Sequence, residues 1–297
     1  MTVIKGLLDR LPHPLLMGVV NATTDSFSDG GRFPDLDRRL ELVEQLVADG
    51  ADLLDVGGQS AVTGVPELDV AVERDAAVAV IEGIAKRLPD TVVSVDTYRP
   101  AVARAALAAG ASIVNDISGL RDSDLATAAA EQGADLVVMH NRGVPKERLT
   151  DPYLYRNVVE DTMRFFDERL RLVEDLTGTV DNVVLDPGPD FSKTPFQTVV
   201  SLRAASAYQS FGLPVLYPIS RKDFIGALTE RRPSERLGGT LAAVGYLVDQ
   251  GARLFRVHDV AQVRGYLTVQ RALRGEVVVD PALELAAHLR REPKKEA

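Results

Sequence analysis

The sequence predicts an α/β fold, a (β/α)8 TIM barrel, and three observations predict it. Short, continuous, β-rich apolar runs recur eight times along the chain. An amphipathic stretch of helical length follows each run. Four of those stretches end in Gly immediately before the next run, at Asp49-Gly50-Ala51, Ala109-Gly110-Ala111, Gln132-Gly133-Ala134 and Gln250-Gly251-Ala252. Gly fits the left-handed position that closes a helix, so this repeat is the chemistry of a helix-to-strand loop. Eight strand–helix units in one chain favour a closed barrel over an open doubly wound sheet.

The runs are 15–20, 51–56, 91–95, 112–114, 134–139, 182–185, 214–217 and 252–257. Each is continuous rather than alternating, the mark of a strand buried on both faces. Helices are expected over 36–49, 65–88, 99–109, 123–131, 154–176, 198–210, 238–250 and 261–274. In the first of these, Leu40, Val43, Leu46 and Val47 share a face. No Pro-, Ser- or Gly-rich linker divides the chain, so residues 1–297 are expected to form one domain, with 290–297 a frayed tail.

Composition narrows the function. The 297 residues are 45% hydrophobic and 26% charged, ordinary for a globular chain. With 34 basic and 43 acidic side chains the net charge is −9, which lacks the broad positive field of a nucleic-acid binder. The absence of Cys excludes disulfides, iron–sulfur clusters, thiolate zinc sites and a Cys nucleophile, and four scattered His leave little for a multi-His metal site. No apolar run approaches membrane-spanning length, and the N-terminus does not read as a secretory signal, so the expectation is a cytoplasmic protein.

Reactive groups of such barrels sit just past the C-terminal ends of the strands. Polar residues stand at all eight of those ends: Asn21; Asp55 and Gln59; Asp96; Asn115 and Asp116; His140 and Asn141; Asp186; Ser220, Arg221 and Lys222; Arg256, His258 and Asp259. Singly, each has a structural reading. Asp96-Thr97 could cap a helix, Asp186-Pro187-Gly188 could make a turn, Arg256 could pair with a carboxylate, and Lys222 could be a solvated cation. Placed on one rim they favour a binding site. Asp96, Asp186 and Asn115 suit a heterocycle carrying several N–H donors, such as guanine or a pterin. Lys222, Arg221, Arg256 and His258 suit a carbonyl oxygen and a phosphate. Asn21, with Asp25 and Asp29, could supply oxygen ligands to Mg2+. Residues 26–32 read as a mobile loop hinged at Gly30-Gly31. The residues alone lead to a barrel enzyme acting on a phosphorylated heterocycle.

At these positions the sequence resembles the dihydropteroate synthase family, along nearly the whole chain and in order. The segments that carry the likeness are Met17-Gly18-Val19-Val20-Asn21-Ala22-Thr23-Thr24-Asp25-Ser26-Phe27-Ser28-Asp29-Gly30-Gly31, Asp55-Val56-Gly57-Gly58-Gln59-Ser60, Ser94-Val95-Asp96-Thr97, Val114-Asn115-Asp116, Met139-His140, Leu185-Asp186-Pro187-Gly188, Ser220-Arg221-Lys222 and Arg256-Val257-His258-Asp259. The resemblance implies condensation of 7,8-dihydropterin-6-ylmethyl diphosphate with p-aminobenzoate and release of pyrophosphate, in folate biosynthesis. It implies that Asp96, Asn115, Asp186 and Lys222 hold the pterin, with Met139 also at the substrate. It assigns Mg2+ to Asn21 and the diphosphate to Arg256 and His258 with Asn21. Ser220, Lys222 and Phe191 fall near p-aminobenzoate. Lys222, Asp96 and Arg256 are the implied catalytic residues, and the implied assembly is a homodimer without nucleic-acid or membrane partners.

Departures from the family pattern cluster in the loops. Its second loop reads Gly-Gly-Glu-Ser-Thr-Arg-Pro-Gly where this chain has Gly57-Gly58-Gln59-Ser60-Ala61-Val62-Thr63-Gly64. Val62 cannot pair with an anion, and Thr63 lacks the rigid proline face. Thr24 replaces a proline, Pro218 a glycine, and Asp190-Phe191-Ser192-Lys193 stands for Gly-Phe-Gly-Lys, bringing a carboxylate close to the substrate path. Two alternatives therefore stay open. One is a pterin-binding paralogue with a lost or altered acceptor. The other, more distant, is a folate-dependent corrinoid methyltransferase domain, against which Ser220-Arg221-Lys222 and the 26–31 loop argue.

Overall fold

The computed structural model describes residues 2–22, 36–59, 64–147 and 149–290. Eight parallel strands lie in the order β6-β5-β4-β3-β2-β1-β8-β7. They are β1 (Leu15–Asn21), β2 (Leu53–Gly57), β3 (Val92–Asp96), β4 (Ile113–Asp116), β5 (Asp135–Met139), β6 (Val183–Asp186), β7 (Leu216–Tyr217) and β8 (Leu254–Val257). A single bridge, Leu185 to Val215, links the two ends of the sheet and closes the barrel. All eight expected strands are present, within two residues of their expected ends.

The helices are α1 (Val3–Arg10), α2 (Leu36–Ala48), α3 (Val70–Arg87), α4 (Pro100–Ala108), α5 (Asp124–Glu131), α6 (Val158–Thr177), α7 (Pro195–Arg203), α8 (Ala205–Tyr208), α9 (Asp223–Thr229), α10 (Leu237–Asp249) and α11 (Val260–Leu273). The expected helix 65–88 starts late, because Asp69 caps it by accepting from the Ala71 N–H. That over 154–176 starts at Val158 for the same reason, with Asn157 as its cap. The one over 198–210 starts early, at a capping box of Thr194 and Gln197, and divides at Ala204. The Gly that precedes a strand does take positive φ, 118° at Gly110 and 86° at Gly251.

Strand alternation explains where the core ends and the site begins. Outward residues such as Leu54, Val56, Val95, Val114, Val138, Leu185 and Phe255 pack beneath the helices in one apolar layer. Inward residues of the lower strand halves, Leu15, Met17, Leu53, Ile113, Val137, Val184, Leu216 and Leu254, form a second cluster with Ile4 and Leu7 of α1. Burying each such side chain stabilises the fold by about 1.5–3 kcal/mol. On β2, β4, β6 and β8 the next inward residue up the strand is polar. Leu53 gives way to Asp55, Ile113 to Asn115, Val184 to Asp186 and Leu254 to Arg256. Thus α1 plugs the bottom of the barrel, apolar side chains fill its waist, and polar groups line its mouth.

Candidate active site

At the mouth, Arg256 joins two carboxylates from neighbouring strands. Its Nε donates to Asp55 Oδ2 at 2.6 Å and its Nη2 to Asp96 Oδ2 at 2.9 Å. Asn115 Nδ2 donates to the same Asp55 oxygen at 3.0 Å. Parallel register sets this belt, since Asp96 faces Gly57 on one side and Asn115 on the other. The expected pairing of Arg256 with a carboxylate is therefore real, and it is double. Burial, reinforced by the neighbouring Asp55 charge and opposed by Arg256, pushes Asp96 up to about 7. Asn115 Oδ1 and Asp55 Oδ1 are buried and, among the described residues, accept no hydrogen bond. A buried acceptor left without a donor costs about 1–3 kcal/mol, so both atoms favour a ligand that brings N–H groups.

Across the mouth, Asp186 ends β6 beside Met139 of β5. Its Oδ1 accepts from the Gly188 N–H at 2.7 Å, so it does make the expected turn. Gly188 has φ 60°, and a Cβ there would fall 2.3 Å from the His140 carbonyl oxygen, so only Gly fits. Burial pushes Asp186 up to about 6, opposed by that N–H and by the charges of Lys222, Lys193 and Arg256. Lys222 precedes α9, and its Nζ sits 4.5 Å from the centre of the Phe191 ring. Burial lowers the Lys222 pKa, opposed by Asp190 and Asp186. Ser220 Oγ accepts from the His258 N–H at 3.2 Å and lies equally far from its ring Nδ1. Burial, with Arg256 and Arg221 nearby, lowers His258 to about 4 and leaves the imidazole neutral at pH 7.

Several rim candidates turn away from the mouth. The His140 ring points outward to Asp161 (3.0 Å) and Thr162 (3.2 Å), as strand parity requires one step after inward Met139. Burial lowers it to about 3. Asp116 is occupied by the Ser118 and Leu120 N–H groups. Arg221, at φ 59°, pairs with Asp259 at 3.0 and 2.5 Å. The Asp190 carboxylate, expected close to the substrate path, is held by Thr198 and the Phe224 N–H.

Glu73, on α3, was not singled out in the sequence. Fully buried behind the mouth, it accepts from Thr97 Oγ1 at 2.6 Å, Gln59 Nε2 at 2.8 Å and Arg99 Nη1 at 2.9 Å. Nothing in its local pattern marks it, because the cap of α3 and the approach of Gly58 are what bury it. Asn21 ends β1, exposed at the rim opposite Gly57. It offers one neutral amide oxygen. Among the described residues no three His, Cys, Asp or Glu side chains gather around a metal position. A single oxygen donor fits Mg2+, which keeps most of its ligands as water and substrate phosphate oxygens. Asp25, Asp29, the 26–32 loop, Ala61, Val62, Thr63 and residues 291–297 lie outside the described residues.

Residues 17–258 match the model of a protein family described as pterin binding enzyme. The dihydropteroate synthase of Streptococcus pyogenes is 38% identical over 248 residues, covering 82% of this chain and 90% of the relative. The Yersinia pestis dihydropteroate synthase, solved with a sulfonamide drug complex, superposes with a TM-score of 0.82 at 35% identity, covering 90% of this chain and 96% of the other. The Xanthomonas albilineans enzyme, solved with 4-aminobenzoic acid, gives 0.79 at 37% identity, covering 88% and 93%. With a barrel whose mouth is lined as this one is, the chain belongs to the pterin-binding enzyme family, among the dihydropteroate synthases.

Proposed function

We propose that this protein is a transferase of folate biosynthesis, one pterin-binding barrel domain that joins 7,8-dihydropterin-6-ylmethyl diphosphate to p-aminobenzoate. The observation that carries the reading is the pairing, in one mouth, of buried acceptors with cations. Asp96, Asp186 and Asn115 Oδ1 face Lys222 and Arg256 there. Pterin N–H donors dock on the carboxylates and the amide, with Met139 beneath the ring. Lys222 donates to a ring acceptor. Arg256 and neutral His258 receive the diphosphate. The bond from the methylene carbon to the diphosphate oxygen breaks, leaving a cation-like carbon. The aniline nitrogen of p-aminobenzoate then attacks it and loses a proton. Phe191, Ser220 and the Lys222 ammonium border the acceptor's approach. Asn21 would hold Mg2+, which supplies positive charge against the leaving diphosphate.

The test is formation of dihydropteroate and pyrophosphate from the dihydropterin diphosphate with Mg2+, with and without p-aminobenzoate. Product that requires p-aminobenzoate and disappears in Lys222→Ala supports the synthase. Pterin binding without product identifies the paralogue with another acceptor, the reading favoured by Val62 in place of the family's arginine. A homodimer belongs to the same proposal. An apolar groove of about 360 Å³ runs between α7, α9 and α10, with Leu228 69% and Tyr246 42% exposed beside it. Sedimentation at micromolar concentration reads the assembly state. A cytoplasmic location, expected from the sequence, is checked by cell fractionation.

A further inference from the structure

The loop from β6 to α7 carries more constraint than its length requires. Gly188, Asp190 and Ser192, alternate residues, all take left-handed backbone conformations, with φ 60°, 66° and 51°. A residue with a Cβ gives up about 1 kcal/mol or more there, and Asp tolerates it better than Ser. Both side chains make compensating bonds. Thr198 Oγ1 accepts from the Asp190 N–H at 3.0 Å and donates to Asp190 Oδ1 at 3.1 Å. The second carboxylate oxygen accepts from the Phe224 N–H at 3.2 Å, two residues after Lys222. Ser192 Oγ donates to Asn141 Oδ1 and accepts from the Gly143 N–H, both at 2.7 Å. Buried Lys193 gathers the carbonyls of Gly188 (3.0 Å), His140 (3.2 Å) and Phe191 (3.2 Å). Phe191 is thus carried on a loop tied at four consecutive residues, with its ring under the Lys222 ammonium.

We propose that Asp190 is a positioning residue for Lys222: its carboxylate ties the β6–α7 loop to the start of α9, so that the Phe191 ring and the Lys222 ammonium stay stacked at the acceptor's side of the site. A chain with only backbone at this position could take the same φ, but it would bring neither the bond to Phe224 nor a negative charge beside Lys222. Among the described residues, the charged and titratable groups that face Lys222 include Asp190 and Lys193 on the loop, Asp186 on β6, Arg256 on β8, His258 just past it and Asp223 on α9. Asp190 and Asp186 favour the charged ammonium, against burial and the Arg256 charge. The inference rests on the proposed synthase reading for its kinetic consequence, but not for its structural one.

The test uses the full chain and the variants Asp190→Asn, Asp190→Gly and Ser192→Gly. Pulsed reductive dimethylation, read by mass spectrometry across pH, follows deprotonation of Lys222 without reference to activity. The expected result is a Lys222 midpoint moved to lower pH in both Asp190 variants and unmoved in Ser192→Gly, whose lost bonds are merely structural. In the same variants kcat/KM for p-aminobenzoate falls on the order of tenfold, with its basic limb displaced in the same direction. Asp190→Gly relieves the left-handed backbone, so it keeps the test informative if Asp190→Asn folds poorly. A Lys222 midpoint unchanged in both Asp190 variants overturns the proposal. If the midpoint moves but the wild-type chain makes no dihydropteroate, the positioning role stands and the synthase reading falls.

Discussion

Asp186, which the proposed function places on the pterin, is a residue whose titration would reach the ligand. Burial raises it to about 6, so its protonated form is the one that folding favours. Its stabilising contribution is present below the unfolded value of 3.8 and is lost as pH rises through about 6. Pterin N–H donors need the ionised form, so binding carries the opposite sign. Pterin affinity measured by calorimetry should fall as pH drops through about 7 and again through about 6, where Asp96 and then Asp186 take up a proton, and Asp186→Asn should remove the lower step. Affinity independent of pH between 5 and 6 in the wild type would remove Asp186 from the pterin contact. Asp186, Asp96 and Arg256 were legible in the sequence because a strand end is a position that local pattern can locate. The direction of His140 was open to the same reasoning, since a residue one step after an inward one must face outward. Glu73 and Ser192 were not legible. Their burial and bonds come from segments up to about fifty residues away, which no local period encodes.

Among the elements, α1 shows how a short helix can matter more than its sequence suggests. Its eight residues fall below the length at which an isolated helix is stable in water, and no side chain of its own caps it. The cap comes from β5, where Asp135 accepts from the Ile4 N–H at 2.6 Å and the Val3 N–H at 3.3 Å. Ile4 and Leu7 then enter the inner cluster of the barrel. Ile4→Ala should cost about 2–5 kcal/mol in chemical denaturation, because the rigid floor cannot collapse around the cavity. A cost under 0.5 kcal/mol would mean that α1 merely rests on the barrel. The sequence also gave no warning of α9, seven residues long. The eight longer helices declared themselves by period, and their ends differed from expectation wherever a cap such as Asp69 or Thr194 outweighed the apolar pattern.

For the whole molecule, the barrel was the most legible feature, because eight repeats of one local pattern admit few other closures. Its hydrogen-bonding belt is uneven. β1 and β2 share five registered pairs, β7 and β8 share two, and β6 meets β7 through one bridge and the Leu185 N–H to Pro214 carbonyl bond at 2.9 Å. Hydrogen exchange followed by mass spectrometry should find peptides spanning 183–186 and 214–217 opening sooner than those spanning 15–21 and 53–57. Uniform protection around the barrel would contradict this seam.

That seam passes directly beneath the proposed substrate. Asp186 stands on one bank, and Ser220 and Lys222 stand beyond the other. A pterin held by Asp186 and Lys222 would supply a rung that the short β7 omits, acting as a removable rivet. Ligand that binds only the closed form adds to its stability by mass action, and proteases sample the opened form. The lifetime of this chain in a cell would then track its pterin supply, with the emptiest enzyme the first to be degraded.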